Sequence, residues 1–164
     1  MFEKIFPKQF DNAFRGHFLA VWLFGFAMLM ELAMAVNSLL NTRTVAASAD
    51  AIPLDRYTNG GAEAVVALFA LAGLFRLLLA LQGLLVLVRY RAMIPFMFLV
   101  LLVLHLGSKA LLILHPVARS GVSSAQLGSA FVYAIIAILF IGFALSFVNS
   151  PKRPVPRAFE DPSA

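Results

Sequence analysis

The chain has 164 residues, of which 62% are hydrophobic and only 13% are charged, and its formal net charge is +5. A soluble domain of this size is typically about 45–50% apolar and about 25% charged, so the apolar excess is too large for one small core. Cysteine is absent, which excludes disulfides, thiolate metal sites and cysteine catalysis. The sequence shows no basic groove with interleaved aromatic residues, so a nucleic-acid partner is not expected.

Residues 1–17 form a leader in which aromatic side chains recur every four positions. Phe10, Phe14 and Phe18 would share one helical face. This spacing predicts a short interfacial helix over Lys8–Arg15, lying on the inner leaflet. The alternative is that the first membrane span simply continues inward through this segment.

Four long apolar runs follow, and each is near or above the roughly 20 residues that a helix needs to cross a bilayer. We predict transmembrane helices over residues 18–40, 62–88, 92–114 and 127–148. The first run is too long for the apolar core of a cleavable signal peptide, so we expect it to remain as an anchor. Because backbone groups in lipid must be hydrogen-bonded within their own segment, the predicted fold is an all-α, up-and-down bundle of four transmembrane helices.

The distribution of Lys and Arg predicts how this bundle is oriented. The leader, the turn Arg89–Arg91 and the tail 149–164 carry most of these residues outside the spans, whereas the opposite loops carry Arg43, Arg56 and Arg119. The positive-inside rule therefore predicts that both termini are cytoplasmic. The proline-rich tail is predicted to be disordered. Short loops, small size and the lack of cysteine favour a bacterial inner membrane.

Four ionisable residues fall inside the predicted spans: Glu31, Arg76, His105 and Lys109. At about 1.5 Å per residue, the first three lie roughly 18–20 Å from the cytoplasmic ends of their helices. Lys109 lies one turn further out, on the same face as His105. We therefore predict that three different helices bring ionisable groups to one layer of the membrane.

Pairing is expected in this layer, because an isolated charge at such depth costs at least about 2.5–3.5 kcal/mol. Glu31 is the only acid at depth, and Arg76 is its predicted partner because a guanidinium group can engage both carboxylate oxygens. Lys109 is the competing partner, or it extends toward the outer interface. His105 can stay neutral and hydrogen-bond within the cluster. Arg76 shares one helix face with the small residues Gly73, Ala80 and Gly83. Small residues allow close helix packing, so we expect this face, and Arg76 with it, to point into the bundle.

The buried polar cluster has three interpretations. It is an ion pair that sets helix register, or a recognition site for a ligand, lipid headgroup or partner, or a relay for protons or ions. A second feature is a stripe of small residues on the fourth helix, Ala130, Ala134 and Ala137. This stripe can pack against the other helices, or against another membrane protein or a second copy of the chain.

Sequence motifs for catalysis are missing: there is no HExxH helix, phosphate-binding glycine loop or serine elbow, and the histidines lack metal-ligand spacing. We therefore expect a non-enzymatic accessory or assembly subunit with neither metal nor cofactor. The alternative is a homo-oligomeric transporter or channel protomer that uses the Glu31, Arg76 and His105 layer. A third possibility is a membrane enzyme with a bound quinone, lipid or haem. The sequence leaves open whether the outer loop, Asn41–Gly61, is ordered.

Overall fold

The computed structural model describes residues 5–6, 11–116 and 122–148, and in the last range it describes side chains from residue 129 onward. Within these ranges the chain is helical and contains no strand. The long helices are α1 (Phe18–Leu40), α2 (Asn59–Arg89), α3 (Ile94–Leu114) and α4 (Val122–Leu145). The tail 149–164, for which we predicted disorder, lies outside the described residues.

Side-chain capping explains where the first two helices begin. The Nδ1 atom of His17 accepts a hydrogen bond from the Leu19 amide at 3.3 Å, so α1 begins at Phe18 as predicted. Helix α2 begins before the predicted Ala62, because Thr58 Oγ1 accepts a hydrogen bond from the Gly61 amide at 3.3 Å. A single 3-10 turn, Arg91–Met93, separates α2 from α3.

Helix α4 is shifted toward the N-terminus relative to the predicted span 127–148. It begins at Val122 and ends at Leu145. The helix tightens after Leu145, where the Ser146 hydroxyl donates a hydrogen bond to the Gly142 carbonyl at 2.8 Å. The Phe147 and Val148 amides then donate to the carbonyls three residues back, Ala144 and Leu145, so the α-helical pattern ends at Leu145 in a tighter turn.

The surface of the bundle is strongly apolar. Three helices are long and apolar enough to cross a membrane, Phe18–Leu40, Asn59–Arg89 and Arg91–Leu114, and α4 is apolar over Ser129–Leu145. Many large apolar side chains are exposed around the bundle, among them Trp22, Leu74, Leu78, Ile113 and Phe140. Soluble monomers rarely expose contiguous apolar patches beyond a few hundred Å². The helices are therefore suited to a lipid environment, as in a helical membrane protein.

Helix α1 lies at the centre of the packing. It packs along α2 and against α4, and α4 packs along α3, whereas α2 and α3 contact each other much less. The predicted small face of α2 is confirmed, since Gly73, Ala80 and Gly83 are buried. On the other side of α1, the fully buried rings of Phe24 and Phe98 meet edge to face, with centroids 5.2 Å apart. The weak α2–α3 contact leaves a gap in the bundle.

The alanine stripe of α4 does not contribute to this packing. Ala130, Ala134 and Ala137 are exposed, whereas the buried side of α4 carries Ile135 and Leu139. The alternative that this stripe packs inside the bundle is therefore wrong. The face is left to lipid or to another chain.

The leader helix predicted over Lys8–Arg15 is wrong for Asp11–Arg15, which is not helical, and Lys8–Phe10 lies outside the described residues. The inward continuation of α1 is also wrong, since α1 begins at Phe18. The Asp11 side chain instead caps the Ala13 amide at 3.2 Å in a local turn. Two backbone hydrogen bonds also join the leader to other parts of the chain.

These hydrogen bonds tie the leader to one end of the bundle. The Asp11 carbonyl accepts from the Ala92 amide at 3.3 Å, and the His17 amide donates to the Leu145 carbonyl at 3.1 Å. Gly16 permits this path, because a Cβ atom there would lie 2.6 Å from the Ser146 carbonyl oxygen. The leader, the α2–α3 turn and the end of α4 therefore meet at the same end of the molecule.

The loop between α1 and α2 lies at the opposite end and is folded. It contains the short turns Thr42–Thr44, Val45–Ala49 and Leu54–Arg56. A small apolar core holds the loop against the start of α2, with buried Ala46, Ile52, Leu54 and Ala62. The sequence left open whether this loop is ordered, and the burial of these side chains shows that it packs against α2.

Candidate functional site

The buried cluster is centred on Glu31 of α1, whose side chain is 3% exposed. Its Oε1 atom lies 2.6 Å from Nε2 of His105 on α3. Its Oε2 atom lies 3.4 Å from Nε of Arg76 on α2. The predicted Glu31–Arg76 pair is present, and one carboxylate joins three helices.

The two partners of Glu31 have different surroundings. The His105 side chain is 4% exposed, whereas the Arg76 side chain is 32% exposed. Burying a carboxylate without partners costs several kcal/mol, and these two contacts offset that cost. Arg76 meets Glu31 through its Nε atom, and its partly exposed side chain also lines a cavity.

Lys109 contacts residues of α4 rather than Glu31, the acidic partner considered for it from the sequence. Its Nζ atom donates to the Ser129 hydroxyl at 3.3 Å and lies 4.8 Å from the centre of the Tyr133 ring. An ammonium group over a tyrosine ring is stabilised by the ring's quadrupole. Lys109 therefore connects α3 to α4, and in the described part of the chain it has no carboxylate within salt-bridge distance.

A cavity of about 930 Å³ adjoins this cluster. It lies in the gap between α2 and α3, toward the end that carries the folded loop, and residues of α1, α4 and the loop complete its wall. Its polar lining includes Arg76, His105, Ser108, Lys109 and Ser129. Its apolar lining includes Phe69, Phe75, Leu79, Leu111, Leu112 and Phe131. A cavity of this size with few polar groups among apolar walls is typical of small-molecule sites.

Other polar residues of this cavity were not predicted as part of the cluster. Asn37, Ser38 and Asp50 also line it, and Ser129 holds Lys109. Helical spacing contained part of the signal, because Ser38 lies seven residues after Glu31 and so shares its face. Asp50 had no such signal, since only the folding of the loop brings it here.

The arrangement sets limits on the chemistry. A carboxylate bound to one imidazole nitrogen fixes the orientation of the His105 ring. Across residues 5–6, 11–116 and 122–148, no three His, Asp or Glu side chains are placed to hold a metal ion. The cluster is therefore suited to polar recognition beside an apolar cavity.

Comparison with known proteins adds no assignment. No protein-family model matches the chain, and no curated protein and no solved structure is significantly similar to it. The function is therefore inferred from the geometry of the cluster and its cavity.

Proposed function

We propose that this chain is a four-span inner-membrane protein with cytoplasmic termini, and that it has a non-enzymatic role in which the cavity binds a small amphipathic molecule. One observation carries this proposal. A cavity of about 930 Å³ with apolar walls and a polar cluster lies between helices that are apolar enough to span a membrane. Such a site suits a molecule that enters from the bilayer, with one polar end and an apolar remainder.

The four-span topology is supported by the contacts at one end of the bundle. The leader, the α2–α3 turn and the end of α4 lie together there. The first two carry Arg15, Arg89 and Arg91, and the sequence that follows α4 carries Lys152, Arg153 and Arg157. The positive-inside rule assigns this end to the cytoplasm. The cavity, at the opposite end, then lies in the outer half of the bilayer.

A non-enzymatic role is supported by how Glu31 is held. Both of its oxygens are engaged, by His105 and by Arg76, so the carboxylate is poorly placed to act as a general base on a bound molecule. The exposed alanine face of α4 is the surface that we propose for an accessory contact with another membrane protein or a second copy. The alternative, a homo-oligomeric transporter or channel protomer, would use the same Glu31, Arg76 and His105 layer as part of its pathway.

The test is native mass spectrometry of the protein purified in mild detergent, with one variant that fills the cavity. Ala72 lines the cavity on α2, so Ala72→Phe places a ring inside it. Ala67 is also an exposed alanine of α2 but does not line the cavity, so Ala67→Phe is the matched control. We expect the wild type and Ala67→Phe to retain a bound amphiphile and Ala72→Phe to lose it.

Equal retention by both variants would show that the amphiphile binds elsewhere, and the proposal would be wrong. The same spectra report on the rest of the proposal. A stoichiometric second protein would support the accessory role, whereas a homo-oligomer without one would favour the transporter alternative.

A further inference from the structure

We infer that the molecule held in the cavity carries an acidic headgroup, a phosphate or a carboxylate, which Arg76 and Lys109 bind together. The inference rests on the proposed function, since it names the chemistry of a ligand for the same cavity. It follows from the contacts that Arg76 and Lys109 make within the bundle and from their charge, since no second acid of the described residues lies within salt-bridge distance of either side chain.

Arg76 has donors to spare. A guanidinium group carries five N–H donors, and Glu31 approaches that of Arg76 at Nε, through one carboxylate oxygen. The side chain is 32% exposed and lines the cavity. The two terminal nitrogens are the part of the group that binds phosphate or carboxylate oxygens in a forked arrangement.

Lys109 is a second cation on the same cavity. It is held by the Ser129 hydroxyl and the Tyr133 ring rather than by an acid from the described part of the chain. It lies one helical turn beyond His105, which contacts the same carboxylate as Arg76. An anion between Arg76 and Lys109 would therefore meet positive charge from both α2 and α3.

The acids around the cavity do not supply that anion. Glu31 is shared between Arg76 and His105, and Asp50 lies at the loop end of the cavity with contacts of its own. The ammonium group of Lys109 gains most from a charged partner in such a weakly polar setting, because charge–charge attraction grows as the dielectric constant falls.

The volume of the cavity and its apolar walls indicate what the remainder of the ligand is. Known small-molecule cavities measure about 300–1,000 Å³, and this one, at about 930 Å³, is near the upper limit. Its apolar side includes Phe69, Phe75 and Leu112, which face a tail in the gap between α2 and α3. We therefore expect one acyl or isoprenoid chain with a small acidic head.

Two probes that share a chain separate the headgroup from the tail. Oleoyl lysophosphatidic acid and monooleoylglycerol differ only in the phosphate. Their affinities are measured by titration of the purified protein in neutral nanodiscs. We expect the phosphate-bearing lipid to bind the wild type about tenfold tighter or more, since the phosphate adds at least one hydrogen bond between charged groups.

Substitutions locate the preference. Lys109→Gln should reduce that preference several-fold with little change for monooleoylglycerol, and Lys109→Arg should restore it. Arg56→Gln removes an exposed charge from the loop and is the control, which should bind as the wild type does. Lys109→Gln keeps the Glu31 contacts intact, so folding should be preserved and is checked by thermal unfolding.

The outcomes distinguish the two levels of the proposal. Equal binding of both probes would overturn the acidic-headgroup inference and leave the proposed function standing, whereas binding of neither probe would overturn both. A preference unaffected by Lys109→Gln would also overturn the inference. Inorganic phosphate identifies the source: competition at concentrations similar to those of the lipid indicates a free anion, and its failure to compete indicates a lipid headgroup.

Discussion

At the scale of single residues, the strongest constraint is Glu31. The Glu31 side chain is only 3% exposed, and Arg76 and His105 both contact it, so a charge buried there has two partners. The layer of ionisable groups was predicted from helix depth, and the Glu31–Arg76 pair was predicted from guanidinium geometry. The partners of Lys109 were not predicted, because nothing in the sequence indicates that Ser129 and Tyr133 of α4 lie beside Lys109 of α3.

A double-mutant cycle tests the ion pair. Arg76→Ala should destabilise the protein by about 2–3 kcal/mol, somewhat below the usual cost of breaking a buried pair because Arg76 is partly exposed. Replacing Glu31 and Arg76 together should cost less than the sum of the two single changes. The free energy of unfolding in detergent is the measurement. An additive double variant would contradict the pairing.

The matched control is Ser108→Ala, one turn from His105. The Ser108 hydroxyl donates to the Leu104 carbonyl of its own helix at 2.7 Å and joins no other helix. Its loss should change stability by less than about 0.5 kcal/mol.

At the scale of elements, close helix contacts depend on glycines that face large side chains. Gly83 of α2 lies against Met28 of α1, and Gly142 of α4 lies against the ring of Phe98 on α3. A methionine can move its flexible end, but Phe98 is fully buried and packs on Phe24, so its ring has little freedom. The α3–α4 contact should therefore be the less tolerant of the two.

Gly142→Ala should destabilise the protein by about 1–3 kcal/mol, because the added methyl group overlaps the Phe98 ring. Gly107→Ala on α3 is the control, since the added Cβ would have no atom within 4 Å beyond its chain neighbours and its own helix backbone. That change should be neutral, or stabilising by up to about 1 kcal/mol through helix propensity. Thermal unfolding of both variants in the same detergent makes the comparison. Similar losses for both would show that Phe98 has room to move.

At the scale of the whole molecule, the separation of α2 from α3 matters most. These helices are joined by one tight turn and yet diverge, so a cavity lies between them, beside the apolar core that contains Phe24 and Phe98. The leader and the end of α4 are hydrogen-bonded at the end opposite that cavity. This arrangement distinguishes a basic end from an end with a ligand-sized cavity.

Reporter fusions test the proposed topology of the whole chain. Reporters placed after Arg91 and after Arg157 should both give cytoplasmic signals, because both positions follow segments rich in Lys and Arg. A reporter placed after Arg56, in the loop between α1 and α2, should give an external signal. A cytoplasmic signal at Arg56, or an external one at either other site, would contradict four spans.

The sequence by itself determined the all-helical architecture, the bounds of α1 and the common depth of Glu31, Arg76 and His105. Apolar run length and rise per residue are properties of one segment, so they can be read without knowing its neighbours. Only the tertiary structure decided that Asp11–Arg15 is not helical, that Lys109 reaches α4 and that a cavity lies between α2 and α3. These features depend on the rotation and spacing of helices relative to one another, which local periodicity does not specify.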